Sequence, residues 1–382
     1  VGIQRHSDDQ LRIAARPSLG ASHLPAMLLR PALEPAPRTL IIDPQKIGWV
    51  DQLVYDLVRT AGGVAPRSRV VRTLLNGQPA AAEPTWTPGI ARLFERVDDR
   101  FLLARWGHAN FDLIKGSPFQ VRLGSAASFD RLAAALERPG WRLADVERHV
   151  DIDALIVLNF ALTFLASQTT DGFQGYLAFD RTRDPPLLWT IAWDADHSFR
   201  DLELDMLAKW GPHLERGAYG YDSRFLPVWV VLRQLEHDAD FRARYLRHAE
   251  RMLNHVFTLE QWHARRGDLG WAEQPDAVAL IERFLRERPT RVRQSLSAQL
   301  GVSSPHRVRV AMLGPGRLVI DGVERDGAYE GHYFPGGVLE VSVPDALRWA
   351  FRGLTVNGQA VPALPYRRAV DGTLEVQARF AE

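Results

Sequence analysis

The 382-residue chain contains no cysteine. Disulfides, thiolate metal sites and a cysteine nucleophile are therefore excluded, and the fold must hold by its core alone. Lysine is nearly as scarce, occurring only at Lys46, Lys115 and Lys209, so almost all positive charge is arginine. That bias fits a GC-rich coding sequence better than a recognition surface, and a bacterial origin is the expectation. No sign of charge prevails: 47 basic residues face 46 acidic ones, for a net charge of +1. Nothing in that balance calls for a nucleic-acid or anionic-membrane partner. No apolar run reaches the ~20 residues that span a bilayer; the longest lies around Leu155 to Ala166. Internal repeats, low-complexity tracts, histidine pairs of the metalloprotease type and a Gly-x-Ser-x-Gly elbow are also missing. The chain begins at Val1 without a charged start and apolar signal segment, so an N-terminal piece is expected to have been removed or left out. The compartment is not legible, and an exported or surface-associated bacterial protein is the working expectation.

What is present is most informative between Val150 and Phe199. The run VDIDALIVLNFALTFLASQ is apolar almost all round, as a helix buried on every side would be. Asp151 or Asp153 can cap its first amides. A polar loop then presents Asp171, and two short apolar runs, Tyr176 to Phe179 and Leu187 to Trp193, flank a turn containing Pro185 and Pro186. This predicts a hairpin that runs into Trp193-Asp194-Ala195-Asp196 and folds Asp194 back toward Asp171. Alternate residues at a strand end face one side, so Asp194 and Asp196 could address one hard cation. The plainer alternative is a helix-capping acid followed by ordinary loop residues. For Asp171 the alternative is an Asp-Gly turn chosen for backbone geometry.

The remaining chain divides into zones. Residues 1 to about 40 carry short strand-like runs (Gln10 to Ala15, Ala26 to Leu29) and prolines, the start of a small sheet-bearing lobe. An amphipathic helix places Trp49, Val50, Leu53, Val54, Leu57 and Val58 on one face and stops at Gly62-Gly63. A strand ends in the Asn76-Gly77 turn. A second amphipathic helix is predicted over Ile90 to Trp106, with Glu95 on it, and a further helix over Ser128 to Leu136. Beyond Phe199 the spacing is helical over Phe225 to Leu235, Ala239 to Val256 and Asp276 to Leu300. His248 and His255, seven apart on one such helix, read as helix-face histidines rather than ligands. From about Ser303 short strands separated by Gly and Pro point to a small β-sandwich.

Several segments together carry a resemblance: AGGVAPRSRVVRTLLNG, FERVDDRFL, FDLIKG, VDIDALIVLNFAL, DGFQGYLAF, WTIAWDADHSF and LEHDADFRARYLRHAERML. In this joint order, over roughly Ala61 to Leu300, the chain resembles the CotH kinase family, the spore-coat protein H group of atypical kinase-like proteins. The resemblance implies an α+β, protein-kinase-like two-lobed domain with a largely helical C-lobe. It would span residues 1–300 (N-terminal lobe about 1–110, helical lobe about 111–300), ahead of an immunoglobulin-like β-sandwich at 304–382. It also implies ATP and Mg2+ as cofactors and phosphoryl transfer to the hydroxyls of a protein substrate, a coat or surface protein.

Carried over residue by residue, Asp171 would orient or accept the proton of the attacking hydroxyl, and Asp194 and Asp196 would hold metal. Glu95 would pair with a phosphate-binding cation, and Lys115 would contact phosphate; the alternatives are a solvated helix acid and a surface charge. The pattern also departs. Where the family supplies asparagine after the catalytic-type Asp, this chain has Gln174, whose longer arm changes the reach of the amide oxygen. Where a lysine-bearing strand is expected, only Arg30 stands, and a guanidinium does not replace an ammonium contact for contact. The glycine and serine motif near the family's N-terminus is absent. Two other classes thus stay open: a catalytically idle pseudokinase acting as an assembly scaffold, and a glycosyltransferase using Asp194-Ala195-Asp196 as its metal motif. The last predicts a parallel, doubly wound sheet ahead of Asp194.

Overall fold

A computed structural model describes residues 2–5, 11–14, 39–43, 48–72, 74–75, 78–79, 90–116, 119–136, 140–167, 175–199, 201–207, 231–232, 235–266 and 275–381. The fold is α+β. It divides into two compact units, the first comprising Val1–Asp238 with His263–Phe284 and the second Ala239–Trp262 with Leu285–Glu382.

The first unit opens with strands β1 (Gly2–Arg5), β2 (Leu11–Ala14) and β3 (Thr39–Asp43), helix α1 (Gly48–Thr60) and β4 (Ser68–Arg72). Next come the two-residue strands β5 (Leu74–Leu75) and β6 (Gln78–Pro79), which pair as the Asn-Gly turn predicts, and β7 (Ile90–Glu95). β1, β2, β3, β7 and β4 form one antiparallel sheet in that order. α1 follows its predicted stripe, burying Val50, Leu53, Val54, Leu57 and Val58. Gly63 follows it because a Cβ there would lie 2.8 Å from the Val157 and Val58 side chains.

One prediction is corrected here. Ile90 to Trp106 is not a single helix: β7 is an inner strand of the sheet, between β3 and β4, and α2 begins only at Asp99–Trp106. Asp98 caps α2, its carboxylate accepting from the amides of Arg100 and Phe101. Pairing of Ile90–Glu95 on both edges, with β3 and β4, outweighs the helical spacing of Leu93, Phe94, Val97 and Phe101.

A second antiparallel sheet has the order β11-β10-β8-β9, from β8 (Phe111–Lys115), β9 (Gln120–Leu123), β10 (Tyr176–Asp180) and β11 (Leu187–Ile191). The stretch read as a helical lobe therefore opens with a sheet. β10 is buried at every position because both of its faces are covered. Tyr176 and Ala178 pack with Phe101 and Leu102 of α2, whereas Phe179 meets Phe129 of α3 (Ala127–Leu136). The short α4 (Leu143–Val146) precedes α5 (Ile152–Phe164), which is buried along its whole length as its composition predicts. Asp151 caps it, accepting from the Ala154 amide at 2.9 Å. Thr190 of β11 donates to the Ala154 carbonyl, joining α5 to the hairpin.

In the second unit, α6 (Ala239–His255) and the later part of α8 (Pro275–Leu300) cluster with a two-sheet sandwich; α7 (Leu259–Arg266) lies between them in sequence. The sandwich strands are β12 (His306–Leu313), β13 (Leu318–Ile320), β14 (Val323–Arg325), β15 (Tyr329–Tyr333), β16 (Val338–Ser342), β17 (Phe351–Val356), β18 (Gln359–Ala360), β19 (Tyr366–Ala369) and β20 (Leu374–Phe380). They form sheets of order β15-β12-β20-β17-β18 and β14-β13-β16-β19. Inward residues of both sheets, among them Val310, Ile320, Leu339, Val356 and Val376, share one core. His255 is buried: its ring stacks on Tyr329 and bonds Asp321 at 3.2 Å and Arg325 at 3.1 Å. Among the described residues no helix is long and apolar enough to cross a membrane.

Candidate functional site

The β10–β11 hairpin delivers the acidic segment to the edge of the first unit's core. β11 ends at Ile191, and the Ala192 amide donates to the Val64 carbonyl at 2.9 Å. Trp193 then wedges among three aromatic rings. Tyr176 and Phe94 lie edge-on to it, with centroids at 5.2 and 5.1 Å, and Tyr55 is stacked at 6.4 Å. With Trp193 pinned, the chain turns sharply: Asp194 has φ +54°. Its amide donates to the Tyr55 hydroxyl at 3.0 Å, and the next amide, of Ala195, donates to Asp51 Oδ1 at 2.5 Å. Downstream, the Phe199 amide reaches the Leu165 carbonyl at 2.9 Å. The loop is thus held at both ends.

This geometry corrects the expectation for the acidic pair. Asp194 and Asp196 lie beyond the strand, and a left-handed residue interrupts pleated alternation, so the pair does not share a face for the reason given by the sequence pattern. Both are half-buried, and Asp196 lies 3.8 Å from the His197 ring.

Lys115, in contrast, lies within electrostatic reach of Asp194. It ends β8 directly opposite Tyr176, which pairs on its other side with Ile191 at the end of β11. Burial lowers the Lys115 pKa, the Asp194 carboxylate opposes that shift, and Arg122 adds to it. A half-buried ammonium within electrostatic reach of a half-buried carboxylate is no ordinary surface lysine. Tyr176, paired between Lys115 and Ile191 in the sheet, is pushed up to about 12 by burial.

Glu95 is neither on a helix nor solvated. It ends β7 at 2 % exposure, and its Oε2 accepts from the Arg67 amide at 2.8 Å and from Arg105 Nη2 at 2.9 Å. Arg105 lies over the Phe101 ring, 3.4 Å from its centroid, and also donates to the Ala65 carbonyl. Glu95 therefore joins β4, β7 and α2, and the cation it pairs with is Arg105.

Asp171, Gln174 and Arg30 lie outside the described residues. Among the described residues no three His, Cys, Asp or Glu side chains gather as a metal-holding group. A cleft of about 660 Å3 opens at the turn end of the hairpin, lined in part by Arg131, Trp141, Arg148, His149 and Pro185. None of the candidate acids among the described residues lines it.

Sequence reasoning missed three buried acceptors. Asp51 and Tyr55 act 144 and 139 residues ahead of their own positions, a separation at which periodicity carries no signal. Asp112, inside FDLIKG, accepts from the Ser125 amide at 2.8 Å and the Ser128 hydroxyl at 2.5 Å, organising the start of α3. A polar residue in an otherwise apolar strand was its only cue.

Comparison with known families matches residues 41–269 to a family model described as CotH kinase protein. The matched span contains Glu95, Lys115, Asp171, Gln174, Asp194 and Asp196 and ends before the β-sandwich. No curated protein matches the chain.

Proposed function

The chain belongs to the CotH kinase protein family, and from that premise we propose that it transfers phosphate from ATP to protein hydroxyls on a kinase-like, two-lobed scaffold. The observation that carries this reading is that Lys115, at the end of β8, lies within electrostatic reach of Asp194, in the loop that follows β11 and is fixed by hydrogen bonds. Phosphoryl transfer asks little covalent chemistry of a protein; it asks for placed charge.

Mg2+ typically keeps several waters and takes one or two carboxylates besides phosphate oxygens, so the half-buried Asp194 and Asp196 are chemically suited to it. Asp194 would be the principal ligand, with Asp196 and the Gln174 amide oxygen as helpers. The ion would supply neutralisation of phosphate charge. Lys115 would hold a phosphate oxygen. Arg30 would be a further phosphate contact. Asp171 would accept the hydroxyl proton. Glu95 would serve indirectly, by bracing β7 and α2 behind Trp193.

The test is ATP-dependent phosphate incorporation into protein, read by mass spectrometry, for wild type, Asp171→Ala, Asp194→Asn and Lys115→Met. Loss of incorporation in all three variants is expected. Equal incorporation in wild type and Asp194→Asn would refute the mechanism.

The engagement of Glu95 by Arg105 rather than by a lysine favours one other role, that of an idle scaffold of a coat or surface assembly. A ligand that binds the native state raises the melting temperature, so ATP with Mg2+ would shift an active enzyme and leave a scaffold unmoved. The glycosyltransferase option needs a parallel sheet ahead of Asp194, and both larger described sheets of the first unit are antiparallel.

A further inference from the structure

The acidic loop is not self-supporting. Asp194 at φ +54° sits in the sparsely populated left-handed region, which aspartate tolerates but does not require, so contacts from outside the loop select it. Two consecutive amides of the loop are held by one helix. Tyr55 and Asp51 are one turn apart on α1 and so share a face, and both are buried. The Tyr55 hydroxyl accepts from the Asp194 amide and the Asp51 carboxylate from the Ala195 amide. Burying a carboxylate is costly unless it is satisfied, and a phenylalanine would fill the Tyr55 site equally well as packing. The polar atoms at these two positions therefore call for a role beyond the core.

A neighbouring face of α1 is clasped in turn. Asp56 accepts from Arg59 at 3.1 Å and from Arg265 of α7 at 2.6 Å, and Arg265 also bonds the Thr60 hydroxyl. α1 is thus fixed on one side and grips the acidic loop on the other.

We infer that Asp51 and Tyr55 are positioning residues for Asp194, so that the carboxylate is presented only while α1 stays docked. The link to chemistry rests on the phosphoryl-transfer reading; the grip on the loop does not.

Hydrogen exchange by mass spectrometry on the full chain tests the grip through peptides covering residues 192–199. Tyr55→Phe removes one oxygen and keeps the ring against Trp193. It should speed exchange of the Asp194 amide about ten-fold, the effect of one lost hydrogen bond, and leave peptides of the β-sandwich unchanged. Asp51→Asn still offers an amide oxygen and should retain protection at Ala195. Unchanged exchange in Tyr55→Phe overturns the inference. Equal acceleration throughout the first unit overturns it too, since the hydroxyl would then be a general stabiliser.

The thermal shift produced by Mn2+ with ATP tests the link to chemistry. Asp194→Asn should abolish it and Tyr55→Phe should shrink it. A full shift in Tyr55→Phe refutes the coupling. No shift in wild type refutes the phosphoryl-transfer reading instead, while the exchange result still decides the grip.

Discussion

Glu250 offers a stability test with a sign and a size. It lies on α6 at 6 % exposure, and its Oε1 accepts from the Phe334 amide. The Phe334–Gly337 turn closes over it so tightly that a Cβ on Gly337 would lie 2.5 Å from that oxygen. Burial pushes the carboxyl up from 4.5 to about 8; Asp321 adds to the rise, while the Phe334 amide, Arg247 and Arg293 oppose it. Below about pH 4.5 both folded and unfolded chains hold the proton. As pH rises, the unfolded chain releases it first, so stability falls by about 1.4 kcal/mol per pH step until the folded carboxyl ionises near pH 8. The total is of order 5 kcal/mol, of which about 1.4 kcal/mol falls above pH 7. That window avoids His332, whose pKa burial lowers and whose destabilising effect therefore appears only at acid pH. Calorimetry of wild type and Glu250→Gln at pH 7 and pH 9 checks this, following the transition of the sandwich-bearing unit. Glutamine cannot ionise, so its transition should stay put, while the wild-type midpoint falls by roughly 4 °C relative to it. Parallel movement of the two proteins would refute the buried-proton account.

Three further outcomes follow from the first unit. Arg105→Met leaves the Glu95 carboxylate buried without its cation and should cost about 3 kcal/mol, measured by urea unfolding; Arg105→Met with Glu95→Gln should recover part of that loss. Asp151→Ala removes the cap of α5 and should cost about 1 kcal/mol by the same assay. Gly124→Ala places a Cβ 2.1 Å from Asp112 Oδ1 at φ +71°, so it should destabilise by about 2 kcal/mol or more, and Gly124→Asn should not restore it, because the contact lies at Cβ.

Much of this fold is legible where a single local cause dominates. α5 is apolar on all sides because it is covered on all sides, and β10 is a continuous apolar run for the same reason. The hairpin, α1 and the sandwich follow from turn residues and periodicity. Legibility fails where partners lie far away in sequence. Leu93, Phe94 and Val97 carry helical spacing, yet pairing with β3 and β4 makes their first part a strand; the Asp98-Asp99 pair was the available sign of a late helix start. Glu95 looked like a helix acid because its cation, Arg105, reaches it only after the strand ends and α2 turns back. Lys115 and Asp194 were each named, but their neighbourhood depends on register across two strand pairs. The left-handed turn at Asp194 had no advance sign at all, since aspartate tolerates that conformation without requiring it.

That turn also constrains how descendants of this chain can drift. With the Tyr55 hydroxyl in place, position 194 can keep a charged residue at a backbone angle most residues resist. A lineage that trades Tyr55 for phenylalanine loses the restraint, and because glycine, asparagine and aspartate all suit the angle, nothing in the backbone then holds the choice at 194 to the charged one. The two positions, 139 residues apart, should therefore vary together, a change of one oxygen on a helix relaxing what is asked of the loop it holds.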